Sequence, residues 1–182
     1  MEYLNLYDKL GNLVNEIGIR GKKTDYLKGI VLVFIQNSKG EFLIQKTSIT
    51  RNNDFSTTGG HVCYGSTFEE TVIKEVKEEL GIDISKDNFS EVYTYTEDCY
   101  FQKVYYLKKD IEIEDIKIQK DEVEYVKWMN IETINFLIKN NQFREGNIKG
   151  YQYILDNYKK HNKFSLDSYS NSEESKTVIG GK

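Results

Sequence analysis

Proline and alanine are both missing from this chain of 182 residues. Without proline, its turns must rest on Gly, Asn and Asp. Cysteine is scarce: Cys63 and Cys99 form no CxxC pair, which excludes a disulfide framework and is expected of a reducing, cytoplasmic compartment. Long apolar runs are also lacking. The longest, Ile30 to Ile35, has the length of a buried strand and falls far short of the ~20 residues that cross a bilayer. No basic segment precedes an apolar stretch between Met1 and Asp8, so no secretory signal is expected. Positive charge is not in excess either. The formal net charge of −4 argues against stable nucleic-acid binding and against attraction to an anionic membrane.

What is present is a globular balance, 38% hydrophobic and 30% charged residues, enough for one core. One domain is expected over residues 1–160, with a polar, mobile tail over 161–182. Residues 1–28 read as an N-terminal hairpin turning at Asp8-Lys9-Leu10-Gly11-Asn12. Lys28 to Gln36 reads as a strand buried on both faces, returning through Asn37-Ser38-Lys39-Gly40 into a second strand over Glu41 to Lys46. Thr47 to Thr58 reads as an exposed irregular loop. Strands are expected over 89–97, 100–108 and 119–129, a short helix over 131–139 and a closing helix over 147–160. This uneven alternation predicts an α/β fold with a mixed central sheet flanked by helices.

The informative segment runs from Gly60 to Ile82. Thr67 with Glu70 makes a capping box, and Gly81 follows the last apolar residue as a C-terminal cap. Between them Val72, Val76 and Leu80, with Phe68 and Ile73, form an apolar stripe. Glu75, Glu78 and Glu79 share another face, where like charges repel. A solvated acidic face is one reading. The other is a site for a hard divalent cation, which takes carboxylate oxygens and bridges to phosphates. The glycines before the helix favour the second, because they let backbone approach a phosphate near a helix N-terminus. An acidic chain acting on a polyphosphate would also need such a mediator.

This stretch resembles the box of the Nudix family, matching seven of nine defined positions: Gly60, Glu75, Val76, Glu78, Glu79, Gly81 and Ile82. Ser66 stands where the family has Glu, and Lys74 where it has Arg. The resemblance implies a Nudix α/β/α sandwich and a hydrolase that cleaves a diphosphate link in a nucleoside diphosphate or related metabolite. It implies Mg2+ or Mn2+ as cofactor, with Gly60, Glu75, Glu78 and Glu79 as the metal set and Glu75, Glu78 and Glu122 as catalytic groups. The Ser66 and Lys74 departures weaken a brace at the loop–helix corner, and Lys74 is expected to pair with Glu70 or Glu78 instead. Arg51, Lys46, Gly59 and Lys74 are candidates to grip substrate phosphates, with ordinary surface cations as the other reading of the basic residues. Glu122 is read equally as a site group or as an exposed strand carboxylate. His61 is read as a structural loop residue ahead of a ligand, and Tyr93, Tyr95, Tyr100 and Phe101 as base-stacking or packing aromatics.

The segments Glu2 to Asp8, Gly40 to Lys46 and Gly59 to Val62 look like the Nudix subgroup related to isopentenyl-diphosphate isomerase. Those isomerases need a histidine-rich metal site and a cysteine ahead of the loop histidine. This chain has only His61 and His161, and Cys63 follows His61. Isomerase activity is therefore disfavoured, and a catalytically weak Nudix domain that senses a nucleotide is the other alternative. The resemblance leaves a homodimer open.

Overall fold

The long apolar segment becomes the spine of the sheet. In the computed structural model, which describes residues 1–170, it forms strand β3 (Leu27–Gln36). A nine-stranded sheet is built around it. On one side lie β1 (Tyr3–Tyr7) and the edge strand β2 (Leu13–Ile19). Next to it also come β4 (Phe42–Thr47), with β5 (Phe55–Ser56), and β6 (Thr58–His61). Further on, β7 (Phe89–Glu97) pairs with β8 (Tyr100–Lys108), and β9 (Val123–Met129) with β4. β8 runs parallel to β3 from Lys28↔Tyr100 to Gln36↔Lys108, whereas the other pairings are antiparallel. The sheet is thus mixed, as expected.

Three helices cover it: α1 (Phe68–Leu80), α2 (Ile131–Lys139) and α3 (Glu145–Ser170). The period-two alternation of β3 sorts its side chains between two layers. Val31, Val33 and Ile35 pack with Val72, Val76 and Leu80 of α1. Leu32 and Phe34 point the other way, onto Ile134 and Leu137 of α2 and Tyr151, Ile154 and Leu155 of α3. The result is the α/β/α sandwich. Each face removes several large side chains from water, at roughly 1.5–3 kcal/mol apiece.

The hairpin turn forms where expected. The Asp8 carboxylate accepts the backbone N–H groups of Leu10 and Asn12 at 2.8 and 2.9 Å, and Gly11 takes a positive φ of 84°.

Three expectations need correction. The stretch 47–58 is an exposed loop only at its centre: Ile49, Thr50, Asn52 and Asn53 are exposed, but Thr47, Ser56, Thr57 and Thr58 are buried, and a short strand forms at Phe55–Ser56. Polar side chains can be buried here because each finds a partner. The Thr47 hydroxyl donates to Asp54 at 2.6 Å, and that of Ser56 to Asn147 at 2.8 Å. The last strand starts at Val123 rather than Gln119, because a turn closed by the Glu122 N–H on the Gln119 carbonyl (2.9 Å) precedes it. The closing helix extends to Ser170, past the end expected at 160 and into the stretch 161–182 expected as a polar tail. The part of that tail beyond 170 lies outside the described residues.

Candidate active site

Helix α1 forms as its sequence dictates. The Thr67 hydroxyl accepts the Glu70 N–H, the Glu70 carboxylate accepts the Thr67 N–H, and Gly81 ends the helix at φ 70°. Glu70 is thereby committed to the cap. With the apolar stripe packed on β3, the helical 100° step decides where the carboxylates go. Glu75 and Glu79, one turn apart, lie 40° apart around the axis and both turn toward the sheet. Glu78 points aside, with half of its side chain exposed. The three acids that share a face in sequence are therefore split into an inner pair and an outer one.

The inner pair meets strand β6 at its two glycines. A Cβ at Gly60 would fall on the Glu75 carboxylate, and one at Gly59 would fall on the Val31 carbonyl oxygen of β3. Glu79 is 5% exposed, and its Oε2 accepts Gln45 Nε2 at 3.1 Å and the Gly59 N–H at 3.3 Å. Burial first, then the charge of Glu75, push the Glu79 carboxyl up to about 8 against the pull of those two donors. Burial also raises Glu75, although Lys74 opposes it. Two desolvated acids side by side are costly unless a cation joins them.

Lys74 supplies part of that charge from the outer side. Its Nζ lies 2.8 Å from Glu78 and 3.3 Å from Glu75. Burial works against its charge, but the hydrogen bond to Glu78 and the field of Glu75 outweigh it and raise its pKa. Of the two partners expected, Glu78 is the one found. Lys74 thus braces carboxylates and is not among the residues lining the cavity beside them.

That cavity, of about 130 Å3, is lined by Gly59, Gly60, His61 and Glu79 together with Arg51, Glu122 and Arg144. Glu122 sits in the turn before β9, where its carboxylate forms an ion pair with Arg51. It is therefore not an exposed strand residue. Lys46 is turned away: its Nζ donates to the Asn53 carbonyl and lies 4.8 Å from the centre of the Phe55 ring. His61 lies on β6 rather than in a loop, and burial, then Arg20, lower its pKa to about 4, so a neutral imidazole faces the cavity. Of the aromatics, Phe101 and Tyr95 are core residues and Tyr93 stacks on Tyr153 at 4.0 Å. Tyr100 lines a cavity of about 560 Å3 beyond His61 that also contains Gln102, Asn147 and Arg144.

Three site residues escape a reading of the sequence. Arg144 grips Asp54 with Nε at 3.0 Å and Nη2 at 2.8 Å, and donates to the Arg51 carbonyl at 3.0 Å. Arg20 comes from the end of the hairpin, where it pairs with Glu2 at 2.7 Å. Gln45 looks like any strand residue, yet it reaches Glu79, and its Oε1 is buried with no hydrogen-bond partner among the described residues. No motif spacing connects these positions to the box. A single glutamine inside an apolar strand is the one available hint.

Among the described residues no three His, Cys, Asp or Glu side chains are grouped so that together they could hold a metal ion. The residues fit a cation of another habit. Magnesium is held through one or two carboxylates, with waters and substrate phosphates completing its shell. Glu75 and Glu79, both raised by burial, with the unpartnered Gln45 oxygen beside them, present that donor chemistry.

A sequence model described as NUDIX domain matches residues 15–151. An uncharacterised Nudix hydrolase of Listeria innocua is 31% identical over 150 residues, covering 79% of this chain and 88% of its own length. Nudix hydrolase 3 of Arabidopsis thaliana is 27% identical over 160 residues, 76% of this chain and 20% of that protein. Among solved structures, a Deinococcus radiodurans protein superposes with a TM-score of 0.69 at 23% identity, over 81% of this chain and 94% of its own. A MutT studied from Aliivibrio salmonicida and Vibrio cholerae gives 0.55 at 21% identity, over 71% and 98% of the two chains. These structures share the fold.

Proposed function

Because the chain belongs to the Nudix hydrolase family, we propose that it hydrolyses the diphosphate link of a nucleoside diphosphate or a related metabolite, with Mg2+ or Mn2+ held at Glu75 and Glu79. Membership makes it a pyrophosphohydrolase acting on small-molecule diphosphates. The metal and the nucleoside are the finer claims. One observation carries them: two desolvated carboxylates converge on a glycine pair, and Glu79 of that pair lines a small cavity together with Arg51 and Arg144.

A divalent cation in this position would lower the pKa of an attacking water and neutralise charge on the phosphates. The residues of the chain do the rest. Glu75 and Glu79 would hold it, Gly60 leaves room for the Glu75 carboxylate, and Glu78 would add a further oxygen only by giving up its ion pair with Lys74. Arg51 and Arg144 offer guanidinium forks to phosphate oxygens. Glu122, held by Arg51, is placed to accept a proton from water. The adjoining space of about 560 Å3, with Tyr100, Gln102 and Asn147, suits a nucleoside in size and in polarity. Two free cysteines accord with a cytoplasmic location, and no described helix is long and apolar enough to cross a membrane.

The test is a panel of nucleoside diphosphates, nucleotide sugars and isopentenyl diphosphate, offered with magnesium or manganese. Monophosphate or phosphate release is expected, falling roughly a hundredfold or more in Glu75→Gln and Glu79→Gln. Metal-dependent binding without turnover would replace this reading with a sensor. Double-bond migration would replace it with an isomerase.

A further inference from the structure

We propose that the cleft between the β2–β3 connection and the β7–β8 turn is a subsite for a phosphate monoester, carried by the substrate beyond the link that is cleaved. The cleft has a volume of about 890 Å3. Its walls include Arg20, Lys22, Lys23, Lys28, Asp25 and Tyr100. Arg20 is already paired with Glu2, so three lysines share the cleft with a single lining carboxylate, in a chain whose net charge is −4.

Lys28 is the unusual member. It is 8% exposed, and its ammonium donates to the Lys22 carbonyl at 2.7 Å. Among the described residues, neither it nor Lys22 nor Lys23 forms an ion pair with a carboxylate. A buried charge without a counter-ion is expensive, and such groups are ordinarily paired. An anion in the cleft would complete the set. Several ammonium groups around one space match a compact dianion better than they match a carboxylate.

The position of the cleft says which anion. Arg20 and His61 line both it and the small cavity beside Glu79, so the two spaces share a wall. A substrate whose diphosphate lies at Glu75 and Glu79 reaches past the neutral His61 ring into the cationic cleft. The location of the cleaved link rests on the hydrolase reading; the affinity of the cleft for phosphate does not.

Two matched pairs of diphosphate compounds test the idea. NADPH differs from NADH by a phosphate on the ribose 2′ oxygen, and coenzyme A differs from dephospho-coenzyme A by one on the 3′ oxygen. Steady-state hydrolysis with magnesium is measured for all four, and equilibrium binding by calorimetry in EDTA. In at least one pair the phosphorylated member is expected to show about a tenfold lower KM and tighter binding. The pair that responds identifies the source of the phosphate. The exposed double variant K22E/K23E is expected to abolish the preference and leave the unphosphorylated member unchanged. Hydrolysis with no preference in either pair overturns the subsite and leaves the hydrolase reading standing. So does a variant that weakens both members equally. Selective binding with no hydrolysis of any compound upholds the subsite and removes the hydrolase reading.

Discussion

Glu79 shows how one side chain can be both a structural cost and a functional group. Burial and the neighbouring Glu75 hold its carboxyl at about 8, well above the ordinary 4.5. Between those values the native state keeps a proton that the unfolded chain has released. Its contribution to stability therefore declines as pH rises through this window and levels off above about 8. In EDTA, urea unfolding should show the native state losing on the order of 2–3 kcal/mol from this group between about pH 6 and about pH 9. Glu79→Gln should remove that slope, because the amide never ionises. Added magnesium should restore wild-type stability at the alkaline end, by binding the ionised native form. An identical slope in the variant would mean that another group titrates.

At the scale of the element, β6 and α1 divide the work. The two glycines of β6 are small for different reasons, and substitution should separate them. Gly59→Ala drives a methyl into the Val31 carbonyl of the central strand, so it should cost about 1–3 kcal/mol of stability in a thermal melt. Gly60→Ala meets a side chain that can swing away, so the fold should survive while kcat falls with the displaced Glu75. Helix α1 depends on its cap. Thr67→Ala removes the acceptor for the Glu70 N–H and should cost about 1 kcal/mol in urea unfolding, with kcat unchanged. A drop in kcat there would show that the cap positions the carboxylates as well as starting the helix.

Across the whole molecule, the site is assembled from segments far apart in sequence. Arg144, at the entry to α3, ties the segment 48–54 to the sheet through Asp54 and the Arg51 carbonyl. Asp54→Asn leaves the cavity wall intact but loosens that tie. It is expected to raise KM several-fold and to shift kcat much less, as Arg51 loses its fixed place. Arg144→Ala should do the same and more, since the guanidinium itself faces the cavity. If Asp54→Asn leaves KM untouched, Arg144 acts only by direct contact.

Local pattern was enough for what repeats along the chain. The period-two run of β3, the capped helix between Thr67 and Gly81 and the Asp8 turn each depend on residues close to one another along the chain. The sequence alone therefore determined a mixed sheet flanked by helices, the capped helix and the identity of the acidic residues on it, and the spacing from Gly60 to Ile82 carried the resemblance that implied the sandwich. It did not determine which of those acids turn inward. Packing of Val72, Val76 and Leu80 on the sheet decided that, burying Glu79 and leaving Glu78 to Lys74. Nor did it reveal Gln45, Arg20 and Arg144, whose roles come from contacts between segments tens of residues apart. Polarity misled at Thr47 and over 56–58, because burial of a hydroxyl depends on a partner such as Asn147, and only the folded chain brings the two together.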